Sequence, residues 1–203
     1  MTAEEPAVPS RLLTGGGAID WTAQLVDQLE FHWQGQLRPR LEGLTDDEYH
    51  FSPAPDELTW AVRPKGTGTA EMRAGAGDFT IDFAYPEPTP APLTTIAWRI
   101  GHLVVGVLGA RWHSHFGGPA YDYMTHVYAG TATGGLEQLD RAYAGWMDGV
   151  RGLDADALAA PVGPAEGPWA DAPMATLVLH ITLEVIHHGA EISLLRDLYA
   201  TTR

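Results

Sequence analysis

From Pro173 almost to the C-terminus the chain reads MATLVLHITLEVIHHGAEISLLRDLY, an apolar-rich run with helical spacing and no internal proline. Proline at the start suits a first helical turn. At about 100° per residue, Leu177, Val178, Ile181, Val185, Ile192 and Leu195 share one arc with His188, and His187 falls near its edge. Such a stripe has to be covered by other elements, so a helix of this kind implies a core built from several helices. Three earlier runs supply them. WTAQLVDQLEFHWQGQLRPRLEGL follows a capping Asp20 and places Leu25, Leu29 and Trp33 on one side, with Pro39 expected to kink or end it. IAWRIGHLVVGVLGARWHSHFGG follows Thr94 or Thr95 as cap and stops at Gly117 and Gly118. LEQLDRAYAGWMDGVRGL spaces Leu136, Leu139, Tyr143 and Trp146 at three or four residues. The expected fold is all-α, a four-helix bundle.

The connections are unequal. Residues 51–92 are rich in proline and glycine, and only FTIDFAY alternates like a strand, which leaves room for a small hairpin. A connection this long is either a cover over a site or a solvated insertion. A second proline-rich loop runs from Pro161 to Pro173. Residues 1–17 hold two prolines and end in Gly15, Gly16 and Gly17, so they are read as a flexible tail, with 18–203 as a single domain.

Composition narrows the function. Lys and Arg total 12 against 26 Asp and Glu, a formal net charge of −14, which repels nucleic-acid phosphates and anionic lipid headgroups. No run approaches the roughly 18 to 20 apolar residues of a membrane span, and the N-terminus lacks the pattern of a signal peptide. The expectation is a cytoplasmic protein with neither nucleic-acid nor membrane partners. There is no cysteine, so disulfides, thiolate metal sites and a cysteine nucleophile are excluded. Any thiol chemistry needs a thiol from outside.

Glu184 and His188 stand one turn apart on the same helical face, close enough to share an ion. An ionisable pair inside an apolar stripe is costly unless hydrogen-bonded or metal-bound, and both readings are open at this point. His180, one turn earlier, extends the pattern to His-x3-Glu-x3-His, and both His180 and His187 are read as alternative ligands or supporting residues. Imidazole with carboxylate suits zinc or nickel, and catalytic sites usually combine three protein ligands with water. The best further donor is His102, mid-helix among Trp98, Gly106, Gly109 and Ala110, where small residues would admit a neighbouring helix. Taken alone, His102 also reads as a hydrogen-bonded core histidine. Glu191 reads as a surface or supporting carboxylate, and Trp98 and Trp146 as core. His113, His115 and His126 read as rim residues, and His32 and His50 have no partner at ligand spacing.

LHITLEVIHHGAEISLLRDLY and IAWRIGHLVVG resemble matching segments of the DinB and YfiT-like superfamily of metal-binding four-helix bundles, and LRPRLEGLTDDEYHFSPAPDELTWAVRP is similar to its first-helix exit. The likeness covers most of residues 20–200. It implies that the family's first metal histidine falls on His102, its last on His188 and its middle one on Glu184. A His, Glu, His set is that of the branch with mycothiol-dependent maleylpyruvate isomerases. The Arg-Gly-Gln that often follows the family's histidine pair is here Gly189, Ala190 and Glu191. The resemblance implies a divalent metal, often a homodimer, and in some branches chemistry on a small thiol. Two functions are therefore expected to compete. One is a metal-dependent transferase or isomerase acting on a small molecule, with a thiol such as mycothiol or bacillithiol. The other is a non-catalytic metal-binding bundle with a structural, sequestering or sensing role.

Overall fold

The computed structural model describes Ile19 to Thr202; the tail expected at residues 1–17 lies outside the described residues. Asp20 caps α1 (Trp21–His32), its carboxylate accepting from the Ala23 amide. The helix does not stop or break at Pro39. It widens into a π segment (Trp33–Leu37), closed by a bond from the Arg38 amide to the Trp33 carbonyl, and resumes as α2 (Arg38–Arg40). In a regular helix the Pro39 ring would strike the preceding turn; the wider turns come directly before it. A capping box between Thr45 and Glu48 then starts α3 (Asp46–Tyr49).

The segment expected to hold at most a hairpin holds two small sheets. β1 (Thr59–Trp60) pairs in parallel with β5 (Leu93–Thr94). β2 (Val62–Pro64), β3 (Met72–Ala74) and β4 (Phe79–Phe83) form an antiparallel sheet in the order β2-β4-β3. β4 lies within the alternating piece FTIDFAY. Val62 and Ile81 face each other in register, Ala74 lies opposite Ile81 on the other flank, and all three are buried. Short β2 and β3 carried too few alternating residues to be legible alone, and burial against the helices completes them.

Thr95 caps α4 (Ile96–His102), which passes through a π segment (Leu103–Gly109) into α5 (Ala110–Phe116) and ends at Gly117 in a left-handed conformation. α6 (Ala132–Arg151) is capped by Thr131, α7 (Ala155–Ala159) by Asp154. A 3-10 segment (Pro164–Trp169) leads to α8 (Met174–Thr202), which begins just after Pro173. The described residues are thus mostly helical with a few small strands. The long runs 21–40, 96–116, 132–151 and 174–202 touch one another around a core whose fully buried members include Leu29, Ile100, Leu139, Trp146, Val185 and Ile192.

Close approach on α6 depends on missing side chains. A Cβ on Gly149 would stand 2.1 Å from the Phe116 ring, whereas one on Gly35 would meet nothing within 4 Å. The two glycines therefore respond oppositely to the same substitution. Gly35→Ala is expected to raise unfolding free energy by about 0.5–1 kcal/mol through lower chain entropy. Gly149→Ala is expected to lower it by about 1–3 kcal/mol through overpacking. Urea denaturation of both variants checks the pair.

Candidate metal centre

Three side chains from two helices converge. His102 is the last residue of α4, where the π segment begins; Glu184 and His188 face it from α8. One donor atom from each lies within 4.8 Å of the others. The two imidazoles meet edge to face, centroids 4.9 Å apart and planes at 88°. His188 Nε2 stands 3.3 Å from Glu184 Oε2. Donors held about 2.0–2.2 Å from a tetrahedral ion are about 3.4 Å apart, so this spacing fits one.

The other ring nitrogen of each histidine is occupied. His188 Nδ1 lies 2.7 Å from Glu191 Oε2, and a carboxylate only accepts, so Nδ1 carries a proton; in the neutral ring the lone pair is then on Nε2, towards Glu184. Arg99 Nη1 also stands 3.3 Å from Nδ1, but a protonated Nδ1 offers it no lone pair. The guanidinium instead forms an ion pair with Glu191, its Nε 2.9 Å from Oε2 though not aligned for a hydrogen bond. His102 Nδ1 lies 2.8 Å from the Tyr123 hydroxyl, which can accept from it; in the tautomer where Nδ1 donates, Nε2 is left free. Trp98 stacks on the His102 ring, centroids 5.4 Å apart and planes 16° from parallel, and is itself held by its indole N–H donating to the Asp82 carbonyl at 2.8 Å. Carboxylate or hydroxyl partners of this kind fix tautomer and orientation in metal sites.

Electrostatics favour a neutral His102. Burial first, then repulsion from His188, Arg99 and Arg111, pulls the His102 pKa down to about 4. Burial pushes the Tyr123 phenol up to about 12, against a lowering influence from Arg111, so it stays protonated.

Several sequence expectations change. Gly106 and Gly109 admit loop tyrosines, not a helix: a Cβ on Gly106 would lie 2.0 Å from the Tyr123 hydroxyl, and one on Gly109 2.5 Å from the Tyr121 ring. Trp98 is half-buried and touches the site, unlike Trp146, which is core. His115 is not a rim residue; its side chain is 5% exposed, with Nε2 3.0 Å from Glu166. His113 is exposed and His126 half-buried against Gln138. His32 is buried beside Gln36, and His50 bonds the Gly130 carbonyl. His180 is outside the three-donor group: it is exposed and lines a separate cavity with Arg111 and Glu166. His187 is also exposed and reaches Glu191 at 3.5 Å, forming a second cluster with His188 and Glu191. Glu191 accepts from the His188 ring. Sequence reasoning missed Tyr123 and Arg99. Arg99 sits three residues before His102, a helical neighbour that spacing could have flagged. Tyr123 lies in a loop and leaves no such signal.

The depressed His102 pKa carries a sign. As pH falls below the ordinary histidine value of 6.5, the unfolded chain takes up this proton before the folded one does. Stability present above that pH is therefore lost on the way down to about 4 and levels off below. For the chelator-treated protein, the stability advantage over His102→Gln is expected to shrink by on the order of 3 kcal/mol across that window. Chemical denaturation at both ends checks it.

Comparison with known proteins bears on the family. The family model of the DinB superfamily matches residues 28–192, a span that contains His102, Glu184 and His188. Neither a search of curated proteins nor one of solved structures returned a match. With the model covering most of its length, the chain belongs to the DinB superfamily.

Proposed function

We propose that His102, Glu184 and His188 hold a divalent ion, zinc or nickel, and that the protein is a metal-dependent enzyme acting on a small molecule. The observation that carries this is the convergence of three donors from two helices while the far nitrogens of both imidazoles are bound by Tyr123 and Glu191. Among the described residues no fourth side chain joins that group. Three protein ligands leave a coordination position for water or substrate, as in catalytic sites. Superfamily membership supports the same reading, since its members generally bind metal.

A bound divalent ion lowers the pKa of a water or thiol beside it and so supplies a nucleophile near neutral pH. Glu191 and Tyr123 orient the imidazoles, Arg99 pairs with Glu191, and Trp98 shields one face of His102 from water. The absence of cysteine fits a borrowed thiol. We extend the reading to a transferase or isomerase that uses a low-molecular-weight thiol of the mycothiol or bacillithiol type. In this reading the four long runs are a DinB/YfiT-like four-helix bundle, and residues 18–203 one domain of a cytoplasmic homodimer. Exposed Leu179, Leu183, Leu194 and Leu198 on α8 support pairing with a second copy. The charge of −14 argues against nucleic acid, and no helix among the described residues is long and apolar enough to cross a membrane.

Elemental analysis of the untagged protein is expected to find one ion per chain, lost in His102→Ala, Glu184→Ala and His188→Ala. Equal content in all four proteins would sink the proposal. Tyr123→Phe and Glu191→Gln are expected to fold and to bind the ion roughly 10- to 100-fold more weakly. Calorimetric titration of the metallated protein with mycothiol, bacillithiol and glutathione tests the thiol, and heat from none of them removes that part.

A further inference from the structure

The helical run 96–116 and α8 lie antiparallel, because their partners advance in opposite directions. Arg99 meets Glu191 and His188, His102 meets His188 and Glu184, and Arg111 shares a cavity wall with Leu177 and His180. That cavity, about 470 Å³, therefore continues the same seam beyond the three donors. His180 precedes Glu184 by one turn, about 6 Å along the helix. Arg111 folds back so that Nη1 donates to the Gly106 carbonyl, one turn beyond His102.

Most of the wall is apolar, from Val162, Leu177 and the exposed Trp169. Among the described residues that line it, Arg111 is the one cation and Glu166 the one anion, and they stand side by side, Nη2 to Oε2 at 3.1 Å. Neither is saturated. A guanidinium has five N–H donors; those of Arg111 bond the Gly106 carbonyl and Glu166, while its Nε is buried without a partner. Glu166 accepts from Arg111 and from His115 and keeps further lone pairs. Burial alone would raise its pKa, but the bonds from His115 and Arg111 and the Arg111 charge hold it below the usual carboxylate value, so it is ionised.

We propose that this cavity binds an uncharged ligand that joins an apolar body to a primary carboxamide, whose carbonyl accepts from Arg111 while the N–H on the same edge donates to Glu166. A donor and an acceptor held next to each other match a group that presents both. A carboxylate would face Glu166 and the net charge of −14, and an ammonium would face Arg111. Trp169, Val162 and Leu177 take the apolar body. The inference deepens the metal-enzyme reading by naming a ligand class for the same seam, yet binding here needs no ion.

The probes are benzamide, benzoate and benzylamine, titrated into the full-length protein by saturation-transfer NMR and calorimetry, before and after chelation. The amide is expected to bind in both states, with the acid and the amine each weaker by roughly fivefold or more. Arg111→Gln, which removes the cation, and Ala165→Phe, which fills the cavity from its rim, are each expected to weaken amide binding by a similar factor. Ala165→Phe leaves the Arg111–Glu166 pair intact, so it tests the site even where Arg111→Gln misfolds. No amide binding, charged probes that match the amide, or indifference to Ala165→Phe overturns the inference. Metal content is measured on the same samples. Failure of the probes alongside an ion that depends on His188 removes this cavity and leaves the metal reading. Loss of the ion alongside an intact probe response does the reverse.

Discussion

The contact between the run 96–116 and α8 is the constraint on which the candidate site depends. It sets a neutral histidine from one helix against a histidine and a glutamate from the other, inside a core where an unpaired polar group is expensive. Three interactions make that burial tolerable: Glu191 on His188, Tyr123 on His102, and Arg99 on Glu191. Each joins a different part of the chain to the seam. Glu191 is one helical turn away, Arg99 comes from across the seam, and Tyr123 comes from the loop after α5.

The two π segments fall on the two helices that flank α8. One directly precedes Pro39 and the other directly follows His102. Within the second, Gly106 has no side chain to obstruct the Tyr123 hydroxyl, and its carbonyl takes the Arg111 guanidinium. A single turn of helix thus supports the histidine on one side and positions the cavity's cation on the other. The sheet insert contributes from outside: the Asp82 carbonyl on β4 holds Trp98, which stacks on His102.

Much of this was legible in the chain. Helical spacing placed Glu184 and His188 on one face, and caps at Asp20, Thr95 and Gly117 bounded their helices as expected. Other parts were not. Strands β2 and β3 are three residues each, too short for an alternating pattern to stand out from a proline- and glycine-rich stretch. His115 looked like a surface residue because its partner Glu166 is about fifty positions away in a loop with no pattern. His180 shares the spacing of a ligand, yet spacing does not say which neighbour lies opposite, and the facing element there is Arg111 and the 3-10 segment.

By itself the sequence determined several helix caps and which residues share a helical face, because those depend on dihedral preference, capping and a fixed 3.6-residue period. It also determined the chemistry on offer: histidine and carboxylate donors, no thiol, and a strongly negative surface. Only the tertiary structure decided that His102 stands across from Glu184 and His188, that Tyr123 reaches over Gly106 to hold it, and that His180 belongs to a neighbouring cavity. Those are contacts between residues far apart in the chain. They are set by how two helices register and by which glycines leave room, and no local period encodes either.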